Sequence, residues 1–389
     1  MPEDARQTGI FNECPLIITH RKPDPMSANS LFAPLAFAHG SSMKNRFMLA
    51  PLTNTQSNAD GTLGEAEHHW LTMRAKGGFG MTMTCASHVQ LVGQAFIGQL
   101  GIWDDKHLPG LTRLAKDIKA ENSLAIVQLH HGGNKGEEKL TGIRPVAPSE
   151  DPETNSRALS TAEVQQLVED FAAAAQRAEK AGFDGIELHG AHSYILCRFM
   201  SPTLNQRTDQ YGGSLENRLR LTTEVLAKIR ARCRPDFCVG IRISPERYGV
   251  VTSEMLQVTK MLVDCGHLDF IDFSLWDCFK EPEDKAYAGK SLIAHFMAVD
   301  RKNVKFAVAG KIMDPATAQA CLDAGADFVA LGRAAILHHD YPLLAAKPDF
   351  KPVATPVTPQ WLQKEGLSLQ FIGYMRRWAG FVTEEEKIS

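Results

Sequence analysis

Apolar residues follow two alternating patterns along this chain. Short apolar runs such as Phe183 to Leu188, placed after a Gly182 suited to ending a helix, read as buried strands. Eight such runs occur: Arg46 to Pro51, Gly80 to Ala86, Leu124 to Leu129, Phe183 to Leu188, Phe237 to Ile243, Leu268 to Phe273, Val304 to Ala309 and Ala326 to Leu331. Between them lie helical patterns over Glu65 to Ala75, Asp105 to Ala120, Thr161 to Ala181, Leu215 to Arg232, Ser253 to Cys265, Lys290 to Asp300, Pro315 to Ala324 and Ala334 to Ala346. Helix starts are marked by Ser160 with Glu163, a capping-box pair, and by Asp314 ahead of Pro315. Gly182 and Gly325 mark helix ends.

Eight apolar strands alternating with helices predict an α/β fold, a parallel sheet closed into a (β/α)₈ TIM barrel, because right-handed crossovers leave few other topologies. A doubly wound open sheet is the alternative, but no G-x-G-x-x-G follows the first strand. Three stretches fall outside the repeat. Residues 1–30, with Pro2, Pro15, Pro23 and Pro25, read as an irregular N-terminal arm, and residues 131–160 as a lid over the mouth of a barrel spanning residues 31–346. Residues 347–389 form an extension whose Leu369, Phe371, Ile372, Met375 and Trp378 make an apolar face, expected to pack on the barrel or on a neighbouring subunit of a homo-oligomer.

With 44% apolar and 22% charged residues over 389 positions, the composition is that of a globular protein with a large core. A formal net charge of -3 and the lack of a dense Lys/Arg block argue against nucleic acid as a partner. The eight cysteines are scattered without C-x-x-C or zinc-type spacing, so reduced thiols in a cytoplasmic protein are expected. No stretch reaches the run of about 18 apolar residues that a membrane span needs.

Chemistry in such a barrel gathers at the C-terminal strand ends. There the fourth strand delivers His189, His192 and Tyr194 within six residues. Gly310 after the seventh strand, and Gly332 with Arg333 after the eighth, fit the phosphate site usual for these barrels. Arg242 ends an otherwise apolar strand. It faces either an anionic ligand edge or a structural partner, Glu187 or Asp272. The histidines also admit a rival reading, a metal-dependent barrel hydrolase using His130, His189 and His192, with His131 nearby, although the H-x-H of many barrel hydrolases is missing. A Schiff-base aldolase lacks its lysine, since the sixth strand ends in Ser274-Leu275-Trp276.

The string H-G-A-H-S-Y at 189–194, followed by S-P-T-L-N-Q-R-T-D-Q-Y-G-G-S-L-E-N-R, resembles the old yellow enzyme family of FMN-dependent ene-reductases, also called NADH:flavin oxidoreductases. The resemblance covers roughly residues 31–346. It implies an FMN cofactor reduced by NADH or NADPH, and a small-molecule enone or enal as substrate. It also implies flavin contacts from Ala50, Pro51, Leu52 and Thr53, from Ala86 and Gln128, and from Arg242, Gly310, Gly332 and Arg333. His189 and His192 would then polarise the substrate carbonyl while Tyr194 delivers a proton, with no metal. Departures from the family pattern are Asn134 where many relatives have arginine, Thr55 where one subgroup has tyrosine, and Ser193 in place of a common glycine. The cysteine-rich cluster loop of larger relatives is absent.

Overall fold

A computed structural model of the chain describes residues 30–383, so the N-terminal arm, apart from Ser30, lies outside the described residues. Eight strands, β1 (Phe47–Leu49), β2 (Met81–His88), β3 (Leu124–His130), β4 (Gly185–Gly190), β5 (Cys238–Ile243), β6 (Phe270–Ser274), β7 (Lys305–Ala309) and β8 (Phe328–Leu331), close a barrel in chain order. Every neighbouring pair is parallel, including β8 with β1. The register of β2 on β3 shifts between Met83 and Ala86, which places Ala86 at a bulge and lets the strand run on to His88.

The barrel helices are α1 (Glu65–Lys76), α2 (Leu108–Ala120), α3 (Thr161–Lys180), α4 (Leu215–Arg232), α5 (Thr252–Asp264), α6 (Leu292–Met297), α7 (Pro315–Asp323) and α8 (Arg333–Leu337). The Ser160/Glu163 capping box forms at the start of α3, and Asp314 Oδ1 accepts from the Thr317 amide at the start of α7. Gly182 and Gly325 follow these helices at φ +90° and +108°, a region that favours glycine. The helix expected over 334–346 is broken: α8 stops at Leu337, and a separate turn runs over Tyr341–Ala345. Pro342 lies at the start of that turn, where its missing N–H does no harm, whereas inside a continuous helix it would forfeit a hydrogen bond.

Two apolar cores result. One lies between strands and helices, with Trp70, Phe171, Leu226 and Phe273 fully buried. The other fills the barrel and includes Met48, Met83, Ile126, Phe270 and Phe328. An antiparallel pair, Leu35–Ala36 with Ser42–Met43, plugs the end where the strands begin, since Phe37 between them packs on Phe270 and Phe328, the first residues of β6 and β8, at 5.8 and 5.9 Å between ring centroids. With that end filled, the opposite end is left for ligands.

Residues 131–160 carry structure of their own, a helix at Glu138–Thr141 and a pairing of Val146–Ala147 with Arg157–Ala158. The C-terminal extension packs on its own barrel: Phe371 meets Trp70 of α1 edge to face at 5.4 Å, and Trp361 Nε1 donates to the Leu337 carbonyl at 3.0 Å. Leu369 and Trp378 of the expected apolar face stay exposed. Among the described residues, no helix is long and apolar enough to cross a membrane.

Candidate active site

Register brings a polar layer together inside the barrel mouth. Gln128 on β3 lies beside Glu187 on β4, His189 on β4 beside Arg242 on β5, and Arg242 beside Asp272 on β6. Gln128 Nε2 donates to Glu187 Oε1 at 2.8 Å, and Arg242 Nε lies 3.1 Å from Asp272 Oδ2 without its N–H aimed along that line. Both carboxyls are wholly buried. Desolvation raises the pKa of each, and the Asp272 charge adds to the rise at Glu187, while one Arg242 guanidinium opposes it. Of the two expectations for Arg242, the ion pair with Asp272 is therefore met through Nε. The outer nitrogens still reach the mouth, towards the Pro51 carbonyl at 3.5 Å and Ser274 Oγ at 3.4 Å.

Above this layer the chain leaves β4 through two residues in the left-handed region, His192 and Ser193, both at φ +62°. That explains why glycine suits position 193, because a Cβ is strained there. The turn is pinned by the His192 amide donating to Ser244 Oγ at 3.0 Å, and Tyr194 then caps a short helix, Ile195–Met200. His189 Nε2 lies 2.9 Å from His192 Nδ1, and His192 Nε2 lies 2.8 Å from Ser274 Oγ. The Tyr194 ring stands on edge against His130 and His189, with centroids 4.3 and 4.8 Å apart.

Burial sets the protonation of this trio. Desolvation, followed by the charges of Arg242 and Lys135, lowers His192 to about 3. His189 is likewise held well below the usual imidazole range by desolvation and by its neighbours His192 and His130. The Tyr194 phenol is raised to about 12 by desolvation, with Tyr374 adding to it. At neutral pH the site therefore holds two neutral imidazoles and a protonated phenol, three potential donors beside one guanidinium.

The remaining expected residues line the same mouth. Ala50 is buried, whereas Pro51, Leu52 and Thr53 are partly exposed after β1. Their loop is tied down by Asn54, whose Nδ2 donates to the buried Glu67 of α1 at 3.0 Å while its Oδ1 accepts from the Gln56 amide. A Cβ at Gly310 would come within 2.9 and 3.0 Å of the Asp277 and Cys278 backbone nitrogens, so no side chain fits there. At Gly332 a Cβ would meet Leu52 Cδ2 alone, at 3.5 Å, so space is left open beside it. The Arg333 side chain is exposed and makes no hydrogen bond or ion pair among the described residues.

The metal reading finds no geometry to carry it. His130 Nδ1 is taken by Gln99 at 3.0 Å, while His131 is held between Gln90 Oε1 and the Gly133 amide. Among the described residues, the donor group compact enough for a cation is His339, Asp340 and Glu365, which does not include the strand-end histidines, and His339 Nδ1 there already lies 2.6 Å from Glu365 Oε2. The residue roles that went unread are those of Ser274, which joins His192 to Arg242, of the Asn54/Glu67 anchor, and of Lys135, whose ammonium donates to the His192 carbonyl at 2.8 Å. Ser274 stood visibly at a strand end. Nothing local marked the other two.

Comparison with known proteins adds a second line of observation. Residues 30–347 match the model of the NADH:flavin oxidoreductase / NADH oxidase family. A probable NADH-dependent flavin oxidoreductase of Bacillus subtilis (strain 168) is 35% identical over 314 residues, covering 78% of this chain and 84% of that protein. An NADPH dehydrogenase of Clostridium acetobutylicum is 34% identical over 313 residues, covering 78% of this chain and 91% of its own length. Two longer curated relatives are matched over 36% and 48% of their length. Among solved structures, the old yellow enzyme homologue from Zymomonas mobilis superposes with a TM-score of 0.74 at 27% identity, over 86% of this chain and 99% of that one.

Proposed function

Because the chain belongs to the NADH:flavin oxidoreductase / NADH oxidase family, that of the old yellow enzymes, and is an FMN-dependent NAD(P)H oxidoreductase, we propose that it reduces the activated C=C bond of α,β-unsaturated carbonyl compounds. The observation that carries this reading is the combination at one strand end of two neutral imidazoles with a phenol kept protonated by burial.

The residues present fit FMN. The partly exposed Thr53 and Pro51, the outer nitrogens of Arg242 and the amide of Gln128 gather where the ring would be held, while the unpaired Arg333 and the side-chain-free turns at Gly310 and Gly332 suit its phosphate. When bound, FMN supplies the hydride, replenished from NADH or NADPH.

The protein's own groups do the rest. His189 and His192 donate to the substrate carbonyl oxygen, an interaction that strengthens as enolate charge develops there. In the free site the two rings bond to each other, so the carbonyl oxygen takes over the place between Nε2 of one and Nδ1 of the other. Arg242 can only donate, so Ser274 Oγ accepts from it and its own proton is available to His192 Nε2, which leaves the His192 proton on Nδ1, donated to His189 Nε2; once the substrate oxygen displaces that bond, His189 donates as well in the tautomer with its proton on Nε2. Tyr194 gives its proton to the α-carbon and, with a pKa of about 12, is a neutral, protonated phenol across the physiological range.

Purified protein should be yellow, release FMN on denaturation and couple NAD(P)H oxidation to loss of an enone such as cyclohexenone. A yellow protein that oxidises NAD(P)H yet reduces no enone or enal would remove the alkene part of this reading. A colourless protein that binds zinc and hydrolyses esters would remove all of it.

A further inference from the structure

Charge balance around the mouth singles out Lys135. Arg242 faces Asp272, Arg198 faces Asp151, Lys280 faces Glu246, Arg247 faces Glu283 and Lys311 faces Asp277. Each of these cations is matched by a carboxylate. Lys135 has none within ion-pair distance among the described residues, although its ammonium sits in the site itself. Nζ donates to the His192 carbonyl at 2.8 Å and lies 4.7 Å from the centre of the Tyr194 ring and 5.9 Å from that of Tyr248. An ammonium held on a backbone carbonyl and two aromatic faces keeps part of its hydrogen-bonding capacity unspent. Lys135 as a residue is exposed, and partial desolvation of its ammonium, with Arg198 close by, lowers its pKa, which a bound anion would reverse.

An unmatched cation at a ligand site is a receptor for an anionic ligand, and two stand at this mouth. Arg333 lies on the side of the β8 turn, which the reading above gives to the cofactor phosphate. Lys135 lies instead against the proton donor Tyr194 and the carbonyl-binding His192, so its anion belongs to the molecule being reduced. We propose that Lys135 binds a carboxylate that the substrate carries in addition to its activating carbonyl, so that the preferred substrates are oxo-enoic acids and not neutral enones. This rests on the ene-reductase reading. The carbonyl occupies the histidine pair, the double bond lies under the Tyr194 phenol, and the carboxylate reaches the ammonium beside the Tyr194 ring. The four-carbon stem lets Nζ follow carboxylates placed at slightly different distances from the double bond. The bond to His192 ties this recognition to the turn that carries the polarising ring.

The test uses the FMN-loaded enzyme with 4-oxopent-2-enoate and its methyl ester, whose comparison between variants cancels their different intrinsic reactivity. Lys135→Gln should lower kcat/KM for the acid by about 10- to 100-fold more than for the ester, mainly through KM, as loss of a charge-assisted hydrogen bond requires. Lys135→Arg should restore most of the difference. Equal losses for acid and ester would overturn the assignment while leaving alkene reduction standing. A loss confined to KM for NADPH or NADH would overturn it in favour of the reductant's phosphates. Failure of the wild-type enzyme to reduce either compound while it still oxidises NAD(P)H would overturn the ene-reductase reading and this assignment with it.

Discussion

His192 Nε2 lies 2.8 Å from Ser274 Oγ, and the same oxygen lies 3.4 Å from Arg242 Nη2, so one hydroxyl joins the His192 imidazole to the buried guanidinium. On the proposed reading Ser274 is a positioning residue, setting which nitrogen of His192 carries the proton. Ser274→Ala should weaken phenol-type ligands and lower kcat for enones by about 10-fold, the value of one hydrogen bond of about 1.4 kcal/mol. Reduction of the bound FMN by NAD(P)H should change far less. Ser274→Thr keeps the hydroxyl and should recover most of the loss. Equal behaviour of the Ala and Thr variants would show that volume, and not the hydroxyl, matters.

The proposed polarising pair and proton donor should separate in the two half-reactions. His189→Ala or His192→Ala removes a donor from the carbonyl oxygen, typically about 2.7 to 4 kcal/mol at the transition state, and should slow enone reduction by about 100- to 1,000-fold. Tyr194→Phe keeps the ring that packs on His130 and His189 and removes the hydroxyl alone. It should slow reoxidation by enones, yet spare both NAD(P)H oxidation and turnover of quinones, whose products need no proton at carbon. Stopped-flow traces of each half-reaction decide this. A Tyr194→Phe enzyme slowed as much with NAD(P)H as with enones would contradict the role.

Regular elements with apolar runs were legible in the sequence because each carries its own pattern. The run Phe183 to Leu188 after Gly182 and the capping pair Ser160/Glu163 are local signals, and the structure meets them within a residue or two, with the strand at Gly185–Gly190. The plug at Leu35–Met43 was not legible, since strands of two residues have no period to detect, and its Phe37 is recognised only by Phe270 and Phe328, far along the chain. Likewise Ser274 could be placed at a strand end, but its role depends on β5 and β6 lying side by side and on a turn at His192 that puts two residues at positive φ. Lys135 is informative through the carboxylates it does not meet, a property of the folded surface alone.

Phosphate anchoring gives a prediction independent of the chemistry. Arg333 is the exposed guanidinium after β8 that no acidic group neutralises among the described residues, next to a Gly332 with open space beside it. Arg333→Ala should raise the FMN dissociation constant by about 10- to 100-fold, the loss of a charge-assisted pair of hydrogen bonds, while enzyme saturated with FMN keeps its enone kinetics. Arg333→Lys should recover only part of the affinity, because a point charge does not reproduce the planar fork. Unchanged FMN retention in the Ala variant would place the phosphate elsewhere.

Several buried histidines give the fold a defined response to acid. Desolvation lowers His88 and His107 to about 4 and His131 to about 3, as it lowers His192, and it also holds His130 and His189 well below the usual imidazole range. A histidine near 6.5 when unfolded and depressed when folded binds more protons in the unfolded chain between those two values, so stability is full above about pH 6.5 and falls as pH drops towards the folded pKa. Each such group contributes a slope of up to about 1.4 kcal/mol per pH unit in that window. Glu67, Glu187 and Asp272, whose carboxyl pKa values are raised by burial, act in the opposite sense and blunt the fall. Urea midpoints measured from pH 8 to pH 5 should therefore hold steady and then decline below about 6.5. His107 offers a probe, because neither of its buried ring nitrogens makes a well-aligned hydrogen bond and its remaining polar neighbour is the Gly61 backbone, so replacing it removes a titration at little cost in bonding. His107→Leu should flatten the decline by about one proton and leave the midpoint at pH 8 equal or higher. A decline just as steep in that variant, or a wild-type midpoint that rises on acidification, would mean that other groups control the acid response.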